Sequence, residues 1–170
     1  MNIEKKWYVL YTKPRAEKKI KLSLDAMEID NFLPLIPQKK KWSDRYKIIE
    51  TPLFSSYIFV KIDYQKESLK VLKDPNSVNF LFFQGKPANI SDEEVEMLQI
   101  FVEQYPEKIK IEEANLFQKG KEITIKSGPF QGRKAIVEKV KNSTYVVVYI
   151  PLLHKKAKVE IKREDVEIII

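Results

Sequence analysis

The 170-residue chain has no cysteine, one histidine and four glycines. Without cysteine there is no disulfide framework, thiol nucleophile, iron–sulfur ligation or cysteine zinc site. A single histidine, His154, excludes a multi-histidine metal cluster. It stands beside Lys155 and Lys156 and is expected in an exposed turn. Glycine loops that cradle phosphates are missing as well: there is no G-x-x-x-x-G-K-[ST] and no G-x-G-x-x-G after a strand. Ser55-Ser56 lacks the flanking glycines of a nucleophile elbow. No enzyme activity, metal or cofactor is therefore expected. Apolar runs are short, the longest lying near 77–83 and 145–153, far below the roughly 20 residues of a membrane-spanning helix. The start, Met1-Asn2-Ile3-Glu4-Lys5-Lys6-Trp7, has no apolar leader, and with no cysteine the expectation is a cytoplasmic monomer with no membrane contact.

What is present is an apolar share of 44%, enough for a core, and a net charge of +7 from 31 basic and 24 acidic residues. The surplus favours an acidic partner such as nucleic acid, with solubility as the alternative. Trp7-Tyr8-Val9-Leu10-Tyr11 reads as a strand. Pro14 is expected to open a helix, whose apolar face is Ala16, Ile20, Leu24 and Met27, with Asn31 closing the element. Residues 32–62 read as a long hairpin turning at Ser43-Asp44-Arg45. Pro37 and Pro52 cannot donate to a ladder, so its outer part should be edge-like or project. A helix over 65–73 with Leu69 and Leu72 inward and a strand over 78–83 follow. Ser91 and Glu94 form a capping box for a last helix burying Val95, Leu98, Phe101 and Val102. Acids at 92–96 suit that helix N-terminus.

After about residue 113 the helical period stops, and short strands between turns suggest a five-stranded barrel. The division expected is 1–108, a linker at 109–116, and 117–170. In the second part, Lys119-Gly120-Lys121-Glu122-Ile123-Thr124-Ile125-Lys126-Ser127-Gly128-Pro129-Phe130-Gln131-Gly132 has Gly120 leading from a turn into a strand, a bend at Gly128-Pro129, and Gly132 free to take a positive φ. Phe130 either plugs the barrel end or, with residues 150–153, forms a contact surface.

This block resembles the KOW motif of NusG-type transcription factors and some ribosomal proteins, with Ala135 where the motif commonly has Gly. Three earlier blocks are similar to the NusG N-terminal (NGN) domain, in order: Trp7-Tyr8-Val9-Leu10-Tyr11-Thr12-Lys13-Pro14-Arg15-Ala16-Glu17-Lys18-Lys19, then Pro52-Leu53-Phe54-Ser55-Ser56-Tyr57-Ile58-Phe59-Val60, then Gly85-Lys86-Pro87-Ala88-Asn89-Ile90-Ser91-Asp92-Glu93-Glu94-Val95. Ser55-Ser56 stands where many members have Pro-Gly. Lys41-Trp42-Ser43-Asp44-Arg45 resembles specialised paralogues that antiterminate polysaccharide-biosynthesis operons.

The resemblance implies an α+β chain: an NGN-type α/β sandwich, mainly antiparallel sheet with flanking helices, followed by a small SH3-like five-stranded KOW barrel. It implies a transcription elongation and antitermination factor that binds the clamp coiled coil of RNA polymerase. The matching positions are Tyr8, Phe54, Tyr57 and Phe59, with ordinary sheet core as the alternative for each. Phe54→Ala or Tyr57→Ala is expected to abolish polymerase binding with the fold intact. Lys13, Arg15, Lys18 and Lys19 at the first helix would face upstream or non-template DNA, with an ordinary solvated helix face as the alternative. On the hairpin arm Lys39, Lys40, Lys41, Trp42 and Arg45 could hold a displaced strand, unless they merely protect an edge. The KOW part, with Gly120, Gly128, Pro129, Phe130 and Gly132, would recruit a small-subunit ribosomal protein or Rho. A housekeeping NusG and a KOW-containing ribosomal RNA-binding protein are the alternatives.

Overall fold

The computed structural model describes residues 4–115 and 120–166. Lys119, which opens the quoted KOW block, and the expected start at 117 lie outside them. The chain divides into two compact units, Met1–Val95 and Glu96–Ile170.

The first unit runs β1 (Lys6–Thr12), α1 (Glu17–Ala26), β2 (Asp30–Phe32), β3 (Leu35–Trp42), β4 (Arg45–Pro52), β5 (Tyr57–Ile62), α2 (Tyr64–Leu72), β6 (Ser77–Phe80), β7 (Phe82–Phe83), β8 (Lys86–Pro87) and β9 (Asn89–Ile90). Its main sheet has the order β2-β5-β1-β6, with β9 also paired to β1. All of these pairings are antiparallel. In β1 and β5, β-branched and aromatic side chains alternate across the pleat. Tyr8 pairs with Val60 and Leu10 with Ile58, which puts these four on one face. There they share a core with Ile20 and Leu24 of α1, Val71 of α2, Ile62 and Phe80. Each such aliphatic residue, fully buried, contributes roughly 1.5–3 kcal/mol. β3 and β4 form a separate two-stranded ribbon. It projects as the prolines suggest: Pro52 opposes Leu35 and Pro37 opposes Glu50 near its base.

Several local expectations shift. The helix starts at Glu17 rather than at Pro14, because Arg15 takes a left-handed φ of 62°. Asn31 does not close the helix but lies in β2, paired with Val60 of β5. In α2, Leu72 packs half-buried on the core as expected, but Leu69 is 71% exposed, and Ser68 and Val71 are buried. The strand expected over 78–83 is split between β6 and β7, with Val78 exposed.

α3 (Asp92–Gln104) starts in the first unit and ends in the second. Its start is capped as read: the Glu94 N–H donates to Ser91 Oγ at 3.1 Å. The second unit continues with β10 (Lys110–Glu113), β11 (Lys121–Thr124), β12 (Lys134–Val140), β13 (Ser143–Ile150), a 3-10 turn at Pro151–Leu153, β14 (Lys155–Ile161) and a 3-10 turn at Arg163–Asp165. The five strands make one antiparallel sheet, β10-β14-β13-β12-β11. A bridge from Ile125 to Val166 joins the chain after β11 to the chain after β14 and curls the sheet into the small barrel. The segment 109–116, read as a linker, contributes the edge strand β10.

Candidate functional site

The sheet register sorts the aromatic candidates. Tyr11 pairs with Tyr57 and Val9 with Phe59. Tyr57 and Phe59 therefore share the sheet face of Trp7, Val9 and Tyr11, while Tyr8 lies on the other face. Tyr8 is 9% exposed and packs on Tyr64 and Phe80, with ring centroids 5.2 and 6.3 Å away. Burial, then the Asp63 charge, push its hydroxyl pKa up. Phe59 is fully buried, stacked on Phe32 and edge-on to Phe54 at 6.2 Å. Phe54 is itself buried. Truncating a buried Phe costs about 3–5 kcal/mol, so Phe54→Ala would disturb the fold rather than probe a surface cleanly. Tyr57 is half-buried and rests on Tyr11, 37% exposed, at 5.5 Å. The structure thus brings Phe54, Tyr57 and Phe59 together, sets Tyr8 apart from them, and adds Tyr11. The alternation in Trp7-Tyr8-Val9-Leu10-Tyr11 already placed Tyr11 opposite Tyr8, and that signal could have found it.

The turn before β5 is held by a residue that sequence reading passed over. Glu17, at the start of α1, is 5% exposed, and its carboxylate accepts the Ser56 N–H at 2.8 Å. Ser56 carbonyl oxygen accepts the Thr12 N–H at 2.8 Å. Ser56 has φ of 70°, a region where a Cβ costs roughly 1–2 kcal/mol. This explains why Gly suits the position in similar sequences. Ser56→Gly is expected to raise stability by about 0.5–1 kcal/mol, after the greater unfolded-state freedom of glycine is deducted. A lower denaturation midpoint would contradict it.

Two groups of cations stand in solvent. Lys13, Arg15, Lys18 and Lys19 are all exposed around the start of α1. Lys39, Lys40, Lys41, Arg45 and Lys47 are exposed on the β3–β4 ribbon, together with Trp42 (59%) and Tyr46 (62%). Ion pairs among the described residues involve Lys5, Lys21, Lys61, Arg133, Lys155, Lys156 and Lys158, and none of these nine cations.

In the second unit the KOW positions take up structural tasks. Gly128 and Gly132 carry φ of 84° and 81°. Pro129 is exposed at the bend. Phe130, however, is 1% exposed, stacked on Tyr105 at 5.6 Å and edge-on to Phe101 at 5.7 Å. Of the two roles open to it, burial fits the plug. Gly120 N–H donates to the Tyr149 hydroxyl at 3.3 Å. Ala135 is buried in β12 opposite Ile123. His154 is exposed, in a left-handed conformation after the 3-10 turn. Among the described residues no group of three or more His, Asp or Glu could hold a metal ion. No described helix is long and apolar enough to cross a membrane.

The NusG family model, described as "Transcription termination factor nusG", matches residues 5–99. The transcription termination/antitermination protein NusG of Rickettsia bellii is 28% identical over 147 residues, covering 80% of this chain and 75% of that protein. The protein of the same name from Staphylococcus aureus is 24% identical over 177 residues, covering 96% and 95%. The solved structure "Domain interaction in Thermotoga maritima NusG" aligns with a TM-score of 0.51 at 23% identity, covering 96% of this chain and 97% of that one, and supports the fold. An antiparallel α/β unit followed by a small barrel, with a family match spanning more than half of the chain, makes this protein a member of the NusG family of transcription termination and antitermination factors.

Proposed function

We propose that the chain is a cytoplasmic, monomeric elongation and antitermination factor that binds RNA polymerase through its first unit and suppresses pausing or termination. The observation that carries this reading is the half-exposed Tyr11–Tyr57 pair, backed by buried Phe54 and Phe59, on a unit that also bears two exposed basic groups with no ion pair among the described residues. A semi-exposed aromatic on a rigid sheet is a typical interface anchor. The clamp coiled coil of polymerase is the expected occupant. Lys13, Arg15, Lys18 and Lys19 and the β3–β4 ribbon then meet upstream or non-template DNA, and the factor makes and breaks no covalent bond. The long exposed ribbon with its Lys41-Trp42-Ser43-Asp44-Arg45 tip favours a specialised, operon-specific member over a housekeeping one. The barrel would recruit a small-subunit ribosomal protein or Rho. Of the surface expected there, Phe130 and Ile150 are buried, and Pro151, Leu152 and Leu153 remain accessible for that contact.

Tyr57→Ala tests the polymerase surface better than Phe54→Ala, because Tyr57 is not fully buried. Loss of an interface anchor worth about 2 kcal/mol or more should weaken polymerase binding on the order of 30-fold, with the thermal midpoint nearly unchanged. Wild-type co-purification of the folded variant with polymerase would refute the surface.

A further inference from the structure

The β3–β4 ribbon carries cations on both of its faces. Its register pairs Lys40 with Lys47 and Trp42 with Arg45, so these four share one face. Lys39 pairs with Ile48 and Lys41 with Tyr46, and these share the other. On each face a lysine lies over the aromatic ring: Lys47 Nζ is 5.5 Å from the Trp42 centroid, and Lys39 Nζ is 4.4 Å from the Tyr46 centroid. The rings thus hold ammonium groups in place, and on that side they are not open for a base to stack. Like charges directly opposite each other, as Lys40 and Lys47 are, destabilise a hairpin. No ion pair with a described acid offsets them. The acids nearest in sequence are Asp44 at the turn and Glu50 near the base. Edge protection alone does not require this repulsion.

A single strand offers one line of phosphates and unstacked bases. Cations on both faces of a thin ribbon match two phosphate walls instead. Stacked sheets lie about 10 Å apart, the depth of one layer with its side chains, and the major groove of B-form DNA, roughly 12 Å wide, admits a two-stranded ribbon. The A-form RNA major groove is too narrow for side chains to read. We propose that the β3–β4 ribbon inserts into the major groove of duplex DNA, with Lys40, Arg45 and Lys47 on one phosphate wall and Lys39 and Lys41 on the other. Trp42 and Tyr46 position the cations, and Asp44 at the tip faces the groove floor, where a carboxylate can accept from a cytosine amino group. This rests on the reading of the ribbon as a nucleic-acid contact and narrows it to a duplex.

The test is fluorescence anisotropy of the full chain with a 20-base-pair DNA duplex, a single strand of the same length and an RNA duplex of the same sequence. The DNA duplex should bind best. Bulky groups on pyrimidine C5, which fill the major groove, should weaken binding at least tenfold, and a minor-groove ligand should not compete. Alanine at Lys39 and Lys41 should lower the salt-dependence slope by about 2, and alanine at Lys40, Arg45 and Lys47 by about 2–3, since each phosphate contact contributes about 0.9. Lys47→Glu removes the like-charge pair, so it should lose at least tenfold in affinity while its thermal midpoint is no lower than wild type. Lys70→Ala, on α2, should leave affinity unchanged. Equal or tighter binding of the single strand, or an effect confined to one face, overturns the groove while keeping the nucleic-acid contact. Preference for the RNA duplex overturns the choice of DNA. Binding to none of the three overturns both this proposal and the reading beneath it.

Discussion

Gly120→Ala should be among the most damaging single substitutions in the barrel, lowering its stability by about 3 kcal/mol or more. A Cβ at Gly120 would lie 2.3 Å from the Val137 carbonyl oxygen and 2.9 Å from Glu138 Cγ. The side chain of Glu138 can swing away, but the carbonyl cannot. Val137 belongs to β12, which is paired on both sides, to Lys121 in β11 and to Val146 in β13. Moving that carbonyl breaks one ladder or the other. Overpacking a well-packed core costs about 1–3 kcal/mol and occasionally more; here the obstacle is backbone in the middle of a sheet, so the upper end applies. Displacing Gly120 also pulls its N–H from the Tyr149 hydroxyl. Against a domain stability of about 5–15 kcal/mol, the loss is large. Chemical denaturation of the full chain, with limited proteolysis to locate cleavage after residue 120, measures it. A midpoint within error of wild type would show that β11 can separate from β12 at no cost.

The same glycine shows what a linear reading captures. Its spacing from Gly128 and Gly132 marked a barrel loop, yet the need for glycine comes from Val137, brought close only by strand pairing. Elements defined by local composition were legible: β1, β5 and β13 from β-branched and aromatic runs, the projecting ribbon from its prolines, and the start of α3 from Ser91. Features set by pairing were not. Nothing within β1 alone assigns Tyr8 to the helix-covered face, because the assignment depends on its register against Val60. Leu69, Val71 and Leu72 lie within one turn of α2, and which of them is buried is decided by the sheet beneath. β10 reads as a polar linker because its sequence is Lys-Ile-Glu-Glu, but Glu112 reaches Lys158 at 2.9 Å and Glu113 pairs with Lys155 across the β10–β14 pair. What makes it a strand is its backbone ladder against β14, with half-buried Ile111 opposite buried Ala157; the partly exposed ion pairs add little.

Glu138→Gln should show a second large loss, and one that depends on pH. Glu138 and Lys156 side chains are only 12% and 16% exposed, and Lys156 Nζ lies 3.0 and 3.1 Å from the two carboxylate oxygens. The Tyr149 hydroxyl donates to the same carboxylate and accepts from Gly120 N–H. Burial alone would raise the Glu138 pKa, but the Tyr149 hydroxyl, the Lys156 ammonium and the Lys158 charge outweigh it and hold the carboxyl below its ordinary 4.5. Tyr149 is pushed up from 10.0 to about 12, first by burial and then by its bond to Glu138, with the Gly120 N–H opposing. Glutamine keeps the volume and an acceptor for Tyr149 but leaves Lys156 buried without its counter-charge, at a cost of about 3 kcal/mol near neutral pH. Because the folded pKa of Glu138 is depressed, the carboxylate's contribution is complete above the unfolded value and is lost as pH falls through 4.5 and below. The gap between wild type and Glu138→Gln should therefore narrow in acid. At the other end the raised Tyr149 pKa keeps its contribution up to about 10, and it declines as pH rises towards 12. Tyr149→Phe should lessen that alkaline decline and remove one tyrosinate from the high-pH end of the absorbance titration. Denaturation midpoints of the three proteins across this range decide the matter: a gap for Glu138→Gln that stays constant from neutral pH into acid would mean that shape, rather than the buried charge, holds β12, β13 and β14 together.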